Sequence, residues 1–177
     1  MKRAEDGSFN LNIVQGEQRV SEDPSECVST LLGSCVAACL HDPVARVGGM
    51  NHFLLPGGEG DRGHAERFSV HAMELLVNAL LARGASRSRL EAKLFGGAST
   101  MHGLSDIGAM NAGFAVRFLA REGIGLGSSC LGGDRGRRIQ FWPVSGRARR
   151  RFMAATEALP PQRAAPPPPA SGALELF

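Results

Sequence analysis

Two short apolar runs, Val36 to Leu40 and Gly49 to Leu55, flank Asp42-Pro43-Val44-Ala45-Arg46, and this arrangement restricts the chain more than any other feature. Asp and Pro favour a turn, and short apolar runs bounded by turn residues read as strands. The stretch from Ser29 to Pro56 therefore reads as holding an antiparallel hairpin. A tight turn with Asp42 facing Ala45 sets Cys35 directly opposite His52 on one face of the ladder. Directly opposed residues have Cβ atoms about 4.5–5.5 Å apart, close enough for thiol and imidazole to meet. A one-residue slip in register would put them on opposite faces.

A thiol beside an imidazole is the minimum apparatus for covalent acyl chemistry, because the thiolate is the nucleophile and needs a base or cation nearby. Gly33 and Ser34 precede Cys35. Small residues there let a substrate backbone approach and leave amide N–H groups for an oxyanion hole. Ser29 or Thr30 offers the hydroxyl that would fix the imidazole tautomer. On the residues alone, a buried structural thiol and a satisfied core histidine stay open beside the catalytic reading. A zinc site from Cys35, Cys39, His41 and His52 fits poorly, since Cys-x3-Cys-x-His is not a usual spacing and the strand spreads its ligands too far. His41, His64, His71 and His102 read as surface residues.

Around the hairpin, the 177 residues, 43% of them hydrophobic, suffice for one domain with its own core. Residues 1–10 read as a loose arm, residues 11–155 as the domain, and residues 156–177 as a proline-rich tail that cannot form a packed core. Leu11 to Val14 reads as a first strand, and 57–64 as a Gly-rich loop bordering the site. Phe68, Ala72, Leu75, Leu76, Ala79 and Leu80 recur at helical spacing over 65–83, with Gly84 as the cap. A second helix opens at Ser105 or Asp106, carries Ile107, Met110, Phe114 and Phe118 on one side, and ends at Gly123. Strands are expected at 90–95, 124–128 and 138–144, with Gly146 turning into a short basic segment. Two helix-strand units point to a mixed α/β architecture.

Net charge is only +3, with Arg135, Arg137, Arg138, Arg147, Arg149, Arg150 and Arg151 clustered late around Phe141-Trp142. A solvated strand edge explains that cluster, and no nucleic-acid module motif accompanies it. No run approaches the roughly 20 apolar residues of a membrane span and no signal-peptide core follows Met1, so a cytoplasmic protein is expected. Cys27, Cys35, Cys39 and Cys130 are then expected as reduced thiols rather than as a disulfide framework.

LLGSCVAACLHDPVARVGGMNHFLLP resembles the signature of the CheD family, the chemoreceptor glutamine deamidases of bacterial chemotaxis. VQGEQRV, LEAKLFGGAS at 90–99, DIGAMNA and GGDRGRRIQF agree in the same order, so the resemblance covers roughly residues 11–151. It implies Cys35 as nucleophile, His52 as base, and a threonine upstream of the cysteine as third group. Ser29, six residues before Cys35, holds that place by position, with Thr30 beside it. Cys130 stands where the family often has an acidic residue. The family fold is a β-sandwich of mixed sheets flanked by helices, similar to the catalytic domain of the deamidating cytotoxic necrotizing factors. The implied reaction converts receptor glutamine side chains to glutamate and needs no metal or organic cofactor, with hydrolysis of receptor methyl esters as a related activity. Chemoreceptor cytoplasmic domains and a CheC-type phosphatase are the implied partners. The competing reading is a non-catalytic module that docks on those same partners.

Overall fold

The computed structural model describes residues 2–3, 7–55, 62–99 and 107–154. In chain order the elements are β1 (Lys2–Arg3), β2 (Phe9–Asn12), β3 (Gln18–Ser21), β4 (Glu26–Leu32), β5 (Val36–Asp42), β6 (Val47–Asn51), α1 (Arg62–Leu81), β7 (Glu91–Gly96), α2 (Ile107–Glu122), β8 (Gly125–Leu131), β9 (Arg137–Trp142) and β10 (Arg147–Phe152). The strands form two mixed five-stranded sheets, ordered β1-β2-β4-β9-β10 and β3-β6-β5-β7-β8. The β2–β4 and β7–β8 pairs are parallel and the others antiparallel. The expected sandwich of mixed sheets flanked by helices is therefore the observed one.

The second sheet is the middle layer. Val28, Leu32, Ile139 and Phe141 of the first sheet meet Ala37, Cys39, Met50 and Phe95 of the second in one apolar core. Val36, Ala38, Leu40 and Leu94 face the other way, into a core shared with Met73, Leu76 and Leu80 of α1 and Phe114, Phe118 and Leu119 of α2. Every residue of β5 is buried. That explains why its sequence shows a continuous apolar run instead of an alternation: a strand covered on both faces has no polar side to show. β6 contributes almost no side chain at Gly48, where a Cβ would lie 2.2 Å from the Pro143 carbonyl oxygen.

The hairpin forms, but in a register two residues away from the sequence expectation. Asp42 pairs with Val47, Leu40 with Gly49 and Cys39 with Met50, and Val36 bridges Phe53. The turn holds four residues, not two. Asp42 Oδ1 accepts from the N–H groups of Val44 (2.9 Å) and Ala45 (3.0 Å), and the Arg46 N–H donates to the Asp42 carbonyl at 2.9 Å. Arg46 takes the left-handed conformation that closes the turn, at φ 55°. Asp42 Oδ2 also accepts from the Ser86 N–H at 2.9 Å and pairs with Arg89 at 2.8 Å. An even shift leaves every side chain on its expected face.

Other expectations shift for similar reasons. Lys2–Arg3 pairs with Phe9 and Asn10, so part of the segment read as a loose arm lies on a sheet edge. α1 begins at Arg62, inside the stretch read as the 57–64 loop; residues 57–61, the Ser105 or Asp106 helix start and the 156–177 tail lie outside the described residues. In α1, Met73 and Val77 are core and Leu75 is exposed; in α2, Met110 is exposed and Asn111 is buried. His41 is buried beside Gly146 rather than on the surface, while His71 is exposed.

Burial pushes the Asp42 carboxyl up, but the Arg89 guanidinium and the N–H groups of Ala45, Ser86 and Val44 outweigh it and hold it well below the usual range. Its stabilising share is thus present above the ordinary carboxylate pKa and is lost as pH falls through the lowered one. Asp42→Ala leaves three N–H groups without their acceptor. It is expected to cost about 3 kcal/mol, read as a lower urea midpoint at pH 7, with a shallower loss of stability towards acid than the parent chain.

Candidate active site

Cys35 sits between β4 and β5, at the end of a short bend through Gly33 and Ser34, and His52 follows β6 directly. With Val36 bridging Phe53, Ala37 lies opposite His52. Cys35 is therefore His52's diagonal neighbour, not its direct partner. Diagonal side chains share a face at roughly 7–8 Å, within reach of long and aromatic groups. Both are almost fully buried, Cys35 4% and His52 6% exposed, between the two sheets.

The hydroxyl that touches the imidazole is Thr30, and Ser29 points elsewhere. Thr30 Oγ1 lies 2.8 Å from His52 Nδ1, whereas Ser29 Oγ lies 3.4 Å from Asn12 Oδ1. Alternation along β4 explains the difference, since Thr30 lies on the core-facing side with Val28 and Leu32. Thr30 Oγ1 also donates to the Ile13 carbonyl at 2.8 Å. A hydroxyl has one hydrogen, so toward His52 it accepts, and Nδ1 carries the ring proton. The lone pair is then on Nε2, which is buried and has no hydrogen-bond partner among the described residues.

Residues 13–17 form a third wall. The His52 N–H donates to the Glu17 carbonyl at 3.0 Å and the Gly16 N–H donates to the His52 carbonyl at 2.8 Å. The Cys35 thiol points at Gln15 Oε1, 3.8 Å away. Gly33 and Cys35 are held from behind: the Ala98 N–H donates to the Gly33 carbonyl at 2.9 Å, and the Gly97 N–H to the Cys35 carbonyl at 2.8 Å. In a trans peptide C=O and N–H point opposite ways. Anchoring the Gly33 carbonyl on that wall thus aims the Ser34 N–H toward the other side.

Burial sets the electrostatics. It pushes the Cys35 thiol up to about 12, only partly offset by a backbone hydrogen bond, and the His52 imidazole down to about 4. Both shifts favour the uncharged thiol and the neutral imidazole at neutral pH. Among the described residues no three His, Cys, Asp or Glu side chains converge on a metal site. No described helix is long and apolar enough to cross a membrane.

Gln15 and Asn111 are members of the site that the sequence reading omits. Gln15 carried only a turn signal beside Gly16. Asn111 was a polar residue inside an apolar helical stripe, which is itself a signal, because a buried amide needs partners. At Cys130 the thiol receives guanidinium hydrogens from Arg137 (3.0 Å) and Arg150 (2.8 Å). Imidazole 15N NMR at pH 7 should find His52 with Nδ1 protonated and a titration midpoint well below 6.5. Thr30→Val should mix the tautomers, and Ser29→Ala should leave them unchanged.

A family model described as CheD chemotactic sensory transduction matches residues 54–152. The chain is 59% identical to the probable chemoreceptor glutamine deamidase CheD of Acidiphilium cryptum, over 97% of this chain and 95% of that one. The protein of the same description from Agrobacterium fabrum is 58% identical, over 83% of this chain and 82% of its own. Among solved structures, a Bacillus licheniformis hypothetical protein, YfiH, superposes with a TM-score of 0.43 at 13% identity, over 64% of this chain and 49% of that one.

Proposed function

The chain belongs to the CheD family, and from that premise we propose that it is a chemoreceptor glutamine deamidase in which Cys35 is the nucleophile, His52 the base and Thr30 the group that orients it. One observation carries the reading: His52 has its Nδ1 proton committed to Thr30 and its buried Nε2 bare, on the face it shares with Cys35.

Each step follows from those atoms. With a glutamine side chain in the site, Nε2 takes the Cys35 thiol proton as Sγ attacks the amide carbon. The carbonyl electrons move to oxygen, and the N–H groups of Ser34 and Cys35 are the donors for that oxyanion. The imidazolium returns the proton to the amide nitrogen, the C–N bond breaks, and ammonia leaves behind a γ-glutamyl thioester. Water, losing a proton to Nε2, attacks the thioester; the C–S bond breaks, the thiol regains its proton and glutamate is released. Receptor methyl esters would pass through the same acyl-enzyme, with methanol in place of ammonia. The chain would act in the cytoplasm, where receptor signalling domains lie, and docking on a CheC-type phosphatase rests on the family resemblance alone.

Gln→Glu conversion in a chemoreceptor cytoplasmic fragment, followed by mass spectrometry, tests the assignment. Cys35→Ala and His52→Ala should lower the rate by about 10²-fold or more, as loss of nucleophile or base does. Thr30→Val should lower it roughly tenfold through the lost tautomer, and Ser29→Ala should stay within twofold of the parent. A parent chain that binds the fragment and converts no glutamine would instead favour a docking module.

A further inference from the structure

The site's reach extends to the first turns of α2. Asn111 is fully buried there, and its two amide atoms hold two different segments outside the strands. Its Oδ1 accepts from the Leu55 N–H at 2.7 Å, and its Nδ2 donates to the Ser34 carbonyl at 2.9 Å. The orientation of the amide is fixed by chemistry, because Leu55 offers only a donor and Ser34 only an acceptor at these contacts. One side chain therefore ties the bend that carries Cys35 to the segment three residues beyond His52.

The helix is seated so closely that nothing else fits between. A Cβ on Gly108 would lie 2.5 Å from the carbonyl oxygens of both Gly97 and Ala98. Gly97 and Ala98 are the residues whose N–H groups hold the carbonyls of Cys35 and Gly33. All three carbonyls of the Gly33–Cys35 bend are therefore bound, two by the Gly97–Ala98 segment against which α2 is seated and the third by Asn111 of α2 itself. The Ser34 carbonyl belongs to the same peptide plane as the Cys35 N–H and points opposite to it. Pinning the carbonyl to Asn111 consequently aims the Cys35 N–H away from α2.

We propose that Asn111 is a positioning residue for the deamidation: through the Ser34 carbonyl it orients the Cys35 N–H as an oxyanion donor, and through Leu55 it sets the nucleophile's bend against the histidine segment. The proposal rests on the assignment of Cys35 as nucleophile. A misplacement of about 1 Å at a catalytic donor can cost about 10²-fold in rate, whereas substrate affinity, which does not depend on the oxyanion, should be spared.

The discriminating variant is Asn111→Asp. Ionised, at the alkaline end of an assay run over about pH 6 to 9, its carboxylate keeps an acceptor for the Leu55 N–H but loses the donor and repels the Ser34 carbonyl. That alkaline end is where kcat is compared; the protonated acid that burial favours would donate to Ser34 as the amide does. On a chemoreceptor cytoplasmic fragment, N111D should lower kcat about 10- to 100-fold, with KM within twofold of the parent. Iodoacetamide alkylation of Cys35, located by peptide mapping, should also stay within twofold, because displacement of iodide builds no oxyanion. Asn111→Ala, which loses both bonds, should lower kcat at least as far. Parental kcat in N111D overturns the proposal. So does a fall in kcat matched by equal falls in alkylation and Tm, which would mark a purely structural residue. Should N111A fail to fold, N111D alone decides. Cys35→Ala is run alongside: an inactive parent, or an active C35A, would sink the nucleophile assignment itself, whereas an active parent with a dead C35A leaves the Asn111 comparison to be judged on its own.

Discussion

The Thr30 hydroxyl, shared between the Ile13 carbonyl and His52 Nδ1, is the polar contact on which the arrangement of the two sheets around the site depends. It lies in an otherwise apolar interface, where an unpartnered imidazole nitrogen is costly. Satisfying Nδ1 from the opposite sheet therefore fixes the sandwich spacing at this point and the ring's tautomer together. The same rows of the ladders continue away from it. Thr30 pairs with Ile139 and Ile139 with Arg150 in the first sheet, while Ala37 pairs with Phe95 and Phe95 with Cys130 in the second. Those two rows meet again at their far end, where Arg150 reaches Cys130. A polar contact at each end brackets the apolar middle, and the middle holds Ile139 and Phe95 in the shared core.

How much of this was legible in the sequence follows from periodicity and parity. The hairpin was readable because Asp and Pro between two apolar runs admit few alternatives. The turn length was not, because four residues closed by a left-handed Arg46 and an Asp42 cap look, in sequence, much like two residues flanked by short loops. The error was even, so Cys35 and His52 stayed on one face while moving from direct to diagonal neighbours. The choice between Ser29 and Thr30 turned on parity too. Counting back from the cysteine favours Ser29, but the alternation Val28, Thr30, Leu32 places the threonine with the buried apolar residues, and that signal lay in the strand itself. Asn111 is not legible as a site residue because the apolar spacing of the helix runs through Met110, one residue away, where the side chain is exposed. Its role depends on a contact with Ser34, 77 positions away along the chain, that no local pattern encodes.

The resting protonation states constrain the chemistry further. Burial pushes the Cys35 thiol up to about 12 and the His52 imidazole down to about 4, so desolvation favours the uncharged form of each in the empty site. In the proposed deamidation the thiolate would form as its charge is passed onward, to the amide oxygen of a bound glutamine and the N–H groups proposed as its donors. On that proposal burial would couple nucleophile activation to substrate occupancy: the same desolvation that favours the neutral empty site would strengthen each donor once an oxyanion develops. The carbonyls of the Gly33–Cys35 bend, bound by Ala98, Asn111 and Gly97, are the structural counterpart of that coupling. They hold the donors in place before any charge exists, so the site does not have to reorganise when one appears.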